Sequence, residues 1–175
     1  DTETNSLDPH QADLIGVSLC SKIGKACYIP IGHKSSKCIK KDIVIKKLKP
    51  LLEDPSVKKI GQNIKFDFIV LYKQGITISS MEDTMLMSYV LDAGKNRHNM
   101  DILSEIHLGH KTISFKEIVG TGKKEINFSD VEVDKAKDYA AEDADITFRL
   151  YKKFIKNLKL EKMVNIYEIF EKPLI

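Results

Sequence analysis

Short apolar stretches separated by polar turns, the pattern of β-strands, open this chain. Residues 12–21 and 26–31 are mostly apolar, and the polar residues 22–25 lie between them. Two apolar runs joined by a tight turn that contains glycine predict a pair of strands. Residues 32–41 are mostly polar and predict a loop after the second strand.

Further along the chain, apolar residues recur at helical spacing, with short apolar runs between the helical stretches. The predicted strands are 57–61 and 76–78, and the predicted helices are 42–54, 64–74, 82–92, 101–108, 134–159 and 161–171. Pro50 should kink or divide the first helix, because proline has no N–H to donate. Residues 93–100 and 119–130 predict loops, and we expect the second to be mobile. Strands that come first and then alternate with helices predict an α/β domain with a mixed sheet.

Length and composition are those of one globular domain. The chain has 175 residues, of which 42% are hydrophobic and 30% are charged. A domain of this size buries about 70% of the surface of its unfolded chain. No apolar run reaches the roughly 18 residues of a membrane-spanning helix, and no signal-peptide pattern opens the chain. Cys20, Cys27 and Cys38 lack metal-binding spacing and predict reduced thiols of a cytoplasmic protein.

The charge of the chain says little by itself about nucleic-acid binding, because the net charge is only +3. All but two of the 28 basic residues are lysine, the exceptions being Arg97 and Arg149. Lysine acts as a point charge, whereas arginine is better suited to reading base edges. Any contact with nucleic acid is therefore expected to be with the backbone and independent of sequence.

Four acidic residues and one tyrosine, in three separate segments, are the candidates for chemistry. Asp1 and Glu3 are two apart and would share one face of a strand. Tyr139 and Asp143 are four apart and would share one face of a helix. Asp67 lies in a third element, after a Gly-Gln-Asn turn. Four carboxylates that converge repel one another unless cations lie among them, and hard divalent cations take oxygen ligands.

These segments and their flanks resemble the three motifs of the DEDD superfamily of 3′–5′ exonucleases, in its tyrosine branch. The similarity extends beyond the superfamily to the proofreading domain of bacterial DNA polymerase I. It rests on residues 1–9, 48–54, 61–67, 110–118 and 139–145, and it covers nearly the whole chain. The resemblance implies an α/β, RNase H-like fold with a central mixed β-sheet flanked by helices.

The same resemblance implies catalytic roles for five residues: Asp1, Glu3, Asp67, Tyr139 and Asp143. The four carboxylates would hold two divalent cations, Mg²⁺ or Mn²⁺, for in-line phosphoryl chemistry. Tyr139 would orient the attacking water or the scissile phosphate. A tyrosine pKa near its ordinary value of about 10 makes it a poor general base at neutral pH.

Thr4, Leu7 and Asn63 are the substrate-binding residues that the resemblance implies. Leu7 would wedge against the terminal bases, and Asn63 would contact the terminal nucleotide. The implied substrate is the single-stranded or frayed 3′ end of DNA, which would lose nucleoside 5′-monophosphates. Residues 1–160 would form the exonuclease domain, and residues 161–175 a helix leading toward a polymerase domain of the same full-length chain.

The strand that carries Asp1 should begin several residues earlier, since a strand must be held in a sheet to aim both of its carboxylates. We therefore expect the first strand to be truncated and the chain to be a piece of a longer polypeptide. On the long helix, Glu142 and Asp145 do not share the face of Tyr139. We expect these two acids to be surface or supporting residues.

Simpler explanations exist for each candidate. Asp1 and Glu3 could form a solvated strand end, Asp67 could be an exposed helical residue, and Tyr139 could be core packing. Two other functions also fit the motifs. One is an RNA-trimming exonuclease of the RNase D type, and the other is a non-catalytic structural or DNA-binding domain of a polymerase.

Overall fold

The computed structural model describes residues 1–34 and 38–175. Its strands are β1 (Thr2–Thr4), β2 (Leu14–Lys22), β3 (Lys25–Pro30), β4 (Lys59–Gly61) and β5 (Met81–Asp83). Its helices are α1 (Lys41–Glu53), α2 (Ile64–Tyr72), α3 (Thr84–Asp92), α4 (Met100–Leu108), α5 (Phe115–Val119), α6 (Val133–Leu160) and α7 (Val164–Ile166). The predicted loop at 32–41 includes residues 35–37, which lie outside the described residues.

Strands β1, β2 and β3 form an antiparallel sheet with β2 in the middle. Glu3 pairs with Gly16, and the N–H of Ser18 donates to the carbonyl of Asp1 at 3.0 Å. Gly24 turns the chain between β2 and β3 with a φ of 75°, which glycine adopts without a steric penalty. The predicted pair of strands is confirmed, and β1 directs Asp1 and Glu3 to the same side of the sheet.

Strands β4 and β5 form a parallel pair in which Gly61 lies opposite Asp83. The predicted strand at 76–78 is wrong, because Ile76 and Ile78 are buried in extended chain that pairs with no strand among the described residues. An apolar run signals burial but does not specify which residues meet a partner strand. The α/β prediction is confirmed, but the described strands form two sheets, one antiparallel and one parallel, rather than a single mixed sheet.

The long helix α6 packs across β2 and β3 on one side and against α3 and α4 on the other. Its buried residues recur at helical spacing: Ala136, Ala140, Asp143, Ala144, Ile146, Thr147, Leu150, Tyr151, Phe154 and Leu158. The predicted helix at 134–159 is confirmed. One polar residue of the buried face, Asp143, stands out because a buried carboxylate is costly without a partner.

Pro50 lies inside α1, which continues to Glu53 without a break. Proline in the last turn removes only one intrahelical hydrogen bond, so Pro50 does not divide the helix. Val44, Leu48 and Leu52 form the buried face of α1.

The segment after α6 is helical but irregular. Helix α7 leads into a π-helical turn over Tyr167–Glu171 and a 3-10 turn over Lys172–Leu174. The predicted helix at 161–171 is present as these shorter turns, and the ring of Tyr167 is fully buried against α3 and α6. No helix within residues 1–34 and 38–175 combines the length and the apolar character needed to cross a membrane.

Residues 119–130, which were predicted to be a loop, contain the end of α5 and two 3-10 turns, Gly122–Lys124 and Phe128–Asp130. Phe128 is buried and packs with Ile15 of β2. This part of the segment therefore belongs to the core. The predicted mobility of the segment stays a prediction.

Candidate active site

Three carboxylates meet where β1 faces α6. One carboxylate oxygen from each of Asp1, Glu3 and Asp143 lies within 4.8 Å of the others. Glu3 and Asp143 are 7% and 4% exposed, while Asp1 is open to solvent. The strand spacing of Asp1 and Glu3 and the helical position of Asp143 thus bring together residues 140 positions apart, as the sequence predicted.

Glu3 has an unsatisfied oxygen at the centre of this cluster. Its Oε1 is buried and has no hydrogen-bond partner among the described residues. A buried acceptor without a donor is costly, and a cation relieves that cost. Carboxylate oxygens are also the ligands that Mg²⁺ and Mn²⁺ prefer. The donor set and the unsatisfied atom therefore both fit a divalent metal.

Burial and mutual repulsion raise the pKa values of the cluster. Desolvation, together with the negative charges of Asp143 and Asp67, raises the pKa of Glu3 to about 8. Burial raises the pKa of Asp143 to about 7, and the nearby hydroxyl of Tyr139 opposes this rise. Without cations the cluster therefore retains protons near neutral pH, so a bound cation must displace them.

Asp67 lies beside the three-carboxylate group rather than within it. It is buried on α2, and its Oδ1 accepts from the backbone N–H of Thr2 at 2.7 Å and from Oγ1 of Thr2 at 2.6 Å. Burial raises the pKa of Asp67, and these two donors oppose the rise. The structure thus ties Asp67 to the strand residue between Asp1 and Glu3, and it does not leave Asp67 exposed.

Thr2 is a residue of the site that the sequence analysis missed. It is the hydroxyl-bearing residue between two carboxylates on β1, and it is buried. Its alternate position on the strand means that it cannot share the face of Asp1 and Glu3. A threonine facing away from the two acids was a sign in the sequence that Thr2 has a role of its own. Spacing could not identify its partner, Asp67, which lies 65 residues away.

Tyr139 lies one helical turn before Asp143 and next to it. Burial raises the pKa of Tyr139 well above its ordinary value, and the charges of Asp143 and Glu3 raise it further. The hydroxyl therefore stays protonated at neutral pH and can donate a hydrogen bond but cannot act as a base. The ring packs against Phe115 and Phe128, with centroids 6.1 Å and 6.2 Å away, which restricts its orientation.

The three residues expected to bind substrate lie in different settings. Leu7 is 90% exposed in the loop after β1. Thr4 is half-buried at the end of β1, and its Oγ1 donates to the carbonyl of Ser6 at 2.9 Å. Asn63 is exposed immediately before α2 and has a left-handed backbone with a φ of 58°.

The two acids that flank Asp143 connect α6 to its surroundings. Glu142 accepts from the N–H of Ile113 at 2.6 Å and pairs with His110 at 2.8 Å. Asp145 accepts from the N–H of Gly24 at 2.6 Å and pairs with Arg149 at 2.7 Å. Both carboxylates are satisfied by these partners, which agrees with the supporting role expected from their helical positions.

Sequence comparison places this site in a known group of proteins. A family model described as a 3′–5′ exonuclease matches residues 1–159. DNA polymerase I of Rhizobium leguminosarum is 42% identical over 196 residues, which cover 100% of this chain and 19% of that protein. DNA polymerase I of Pseudomonas aeruginosa is 41% identical over 182 residues, which cover 100% of this chain and 20% of that protein. The chain thus spans about a fifth of the length of these curated relatives.

The fold is also found in solved structures. Brucella melitensis NrnC with bound Mg²⁺ matches with a TM-score of 0.67 and 24% sequence identity, over 93% of this chain and 73% of the NrnC chain. Likeness at this identity shows the fold, and it confirms the predicted RNase H-like architecture.

Proposed function

The chain belongs to the 3′–5′ exonuclease family of DNA polymerase I, and on that premise we propose that it removes nucleotides from the 3′ end of DNA. The observation that carries the proposal is the cluster of the exposed Asp1 with the buried Glu3 and Asp143, in which one glutamate oxygen is unsatisfied. Buried polar atoms in folded proteins are almost always satisfied, and a cation held by the three carboxylates would satisfy this one.

We infer that Asp1, Glu3, Asp67 and Asp143 hold two divalent cations, Mg²⁺ or Mn²⁺. The oxygen-only donor set supports this inference, as does the description of NrnC, which shares the fold, with bound Mg²⁺. When bound, such cations acidify a coordinated water and neutralise charge on the reacting phosphate. Removal of the cations by a chelator should therefore abolish activity and leave the fold intact.

The chain's own groups would bind and orient the reactants. The protonated hydroxyl of Tyr139 would donate to the attacking water or to the scissile phosphate, held in place by the aromatic rings around it. A donor fixed in this way contributes by positioning. The product would be a nucleoside 5′-monophosphate, with the new 3′ hydroxyl left on the shortened strand.

We propose that the substrate is a single-stranded or frayed 3′ end. The exposed side chain of Leu7 would wedge against the terminal bases, while Asn63 and Thr4 would contact the terminal nucleotide. Because nearly all basic residues are lysine, contacts with the rest of the strand would be to phosphates.

We also propose that residues 1–160 act as the proofreading domain of a longer DNA polymerase I in the cytoplasm. Residues 161–175 would lead toward the polymerase domain of the same chain. The identity of the relatives, both DNA polymerase I, supports this arrangement.

The test is degradation of a 5′-labelled single-stranded DNA oligonucleotide with Mg²⁺, followed as a ladder of shortened products. The Asp143→Asn variant should lose activity by at least about a hundredfold. The Asp138→Asn variant should not, because Asp138 is an exposed acid on the same helix. A matched RNA oligonucleotide distinguishes the RNA-trimming alternative, which predicts faster loss of RNA. An active Asp143→Asn variant would contradict the assignment of the site.

A further inference from the structure

One buried carboxylate outside the metal cluster, that of Asp83, organises the turn before α2. Asp83 is 2% exposed and ends β5 directly opposite Gly61 of β4. Its Oδ1 accepts from the N–H of Asn63 and its Oδ2 from the N–H of Ile64, both at 3.0 Å. Its Oδ1 also accepts from the N–H of Met85 at 2.8 Å. A single side chain therefore caps the first turns of both α2 and α3.

Asp83 fixes the backbone of Asn63, whose own side chain does not cap α2. Asparagine before a helix normally accepts a backbone N–H with its own side chain. The side chain of Asn63 makes no such bond, and the N–H groups that Asp83 binds are those of Asn63 and Ile64, not those of residues 65 and 66 that a capping asparagine would bind. The amide of Asn63 is left exposed, on a left-handed backbone that asparagine tolerates better than most residues.

The same turn is held from its other side. Oγ1 of Thr84 lies 3.0 Å from the carbonyl of Gly61 and 2.5 Å from Oε1 of Gln62. A Cβ on Gly61 would lie 2.8 Å from side-chain atoms of Ile64, so only glycine allows α2 to start this close to β4. Asp83 and Thr84 together thus restrict the backbone of residues 61–63.

The strand end that carries Asp83 is held in turn by the segment after α6. The fully buried hydroxyl of Tyr167 accepts from the N–H of Asp83 at 3.0 Å and donates to Oε2 of Glu82 at 2.9 Å. The buried carboxylate of Glu82 also pairs with Lys58 at 2.7 Å and with Lys172 at 3.0 Å. Tyr167 therefore links the C-terminal segment to β5 through hydrogen bonds.

We propose that Asp83 is a positioning residue for substrate binding, which fixes the backbone of Asn63 and so aims its exposed side chain, and that Tyr167 holds Asp83 in place. This inference rests on the proposed function. It also distinguishes Asn63 from Asp67 within the segment 61–67. Asp67 is fixed separately, by Thr2, so disturbing Asp83 should weaken substrate binding and leave the metal cluster intact.

The first experiment compares steady-state kinetics of Asp83→Asn and Asp83→Ala on a single-stranded DNA oligonucleotide. Asparagine at position 83 keeps one acceptor oxygen. Its NH2 group replaces the other oxygen and faces the backbone N–H groups at the start of α2. We expect KM to rise about tenfold with a smaller change in kcat, and Mn²⁺ affinity to stay within about twofold. Phe154→Leu is the matched control: it loosens the same core without touching the turn, so it should lower Tm and leave KM unchanged.

The second measurement does not depend on activity. Hydrogen exchange of the Asn63 and Ile64 amides should become at least about tenfold faster in Asp83→Asn and in Tyr167→Phe, but not in Phe154→Leu. If Asp83→Ala fails to fold, the Asp83→Asn and Tyr167→Phe variants decide the question. Unchanged exchange and unchanged KM in both would overturn the proposal. If the parent chain degrades no DNA, the proposed function fails, and the exchange rates alone decide the role of Asp83.

Discussion

Burial and neighbouring negative charges both act on the carboxylate of Glu3. Its carboxylate is buried, and one oxygen has no hydrogen-bond partner in the part of the chain that the structure describes. The charges of Asp143 and Asp67 add to desolvation in raising its pKa to about 8 from an ordinary value near 4.5. The metal-free protein therefore holds a proton here that the unfolded chain releases.

That proton makes the stability of the metal-free protein depend on pH. Between pH 4.5 and about 8 the folded chain binds more protons than the unfolded chain, so the free energy of unfolding should fall as the pH rises. Glu3→Gln should flatten this dependence and stabilise the metal-free protein above pH 8 by at least about 1 kcal/mol. Urea unfolding in EDTA from pH 5 to 8.5 measures both effects. Glu125→Gln, an exposed control, should retain the slope of the parent. A Glu3→Gln variant with that same slope would show that Glu3 is ionised in the fold.

The hydroxyl of Tyr139 can also be tested with a single substitution, because phenylalanine keeps the ring and removes only the hydroxyl. Because we propose that the hydroxyl only positions the reactants, Tyr139→Phe should lower kcat by on the order of 10²-fold or less and leave Mn²⁺ binding intact. Tyr72→Phe, which alters an exposed tyrosine, should have no effect. Complete loss of turnover with metal binding retained would make the hydroxyl essential to the chemistry.

Three elements, β1, α2 and α6, meet at the site, and the sequence predicted them unequally. The hairpin and α6 follow from periodicity, and the motif spacing indicated which faces carry Asp1, Glu3 and Asp143. The bonds between elements did not follow, because spacing says nothing about partners 65 residues apart such as Thr2 and Asp67. The strand prediction at 76–78 was wrong for a related reason. The segment that pairs with β4 is Met81–Asp83, and an apolar run does not specify which segment meets a partner strand.

The contact between β1 and α2 can be weakened with one isosteric change. Thr2→Val keeps the β-branched shape and removes the hydroxyl that donates to Asp67, leaving only the backbone N–H. We expect a loss of about 1–3 kcal/mol in the free energy of unfolding, together with lower activity as Asp67 loses its fixed orientation. Thr2→Ser should restore most of both. Equal behaviour of the valine and serine variants, by urea unfolding and nuclease rate, would show that the hydroxyl contributes nothing.

In the whole molecule, α6 contributes residues to two apolar clusters and carries Asp143 to the strand that bears Glu3. Asp67, the proposed metal ligand, is fixed through β1, and Asn63, the proposed substrate contact, is fixed through β5. The basic residues, all but two of which are lysine, suit contact with phosphates rather than base edges. These features agree with a nuclease that acts on DNA ends without regard to sequence.

We infer that the carboxylate cluster drives cation-dependent removal of the 3′-terminal nucleotide. The most direct measurement is the release of label from a 3′-end-labelled single-stranded DNA oligonucleotide, with Mg²⁺ and with EDTA, for the parent chain and for Glu3→Gln. We predict that the label appears first as a nucleoside 5′-monophosphate, only with Mg²⁺ and only from the parent chain. Release in EDTA, release by Glu3→Gln at the parent rate, or first appearance of the label in a longer fragment would contradict the account.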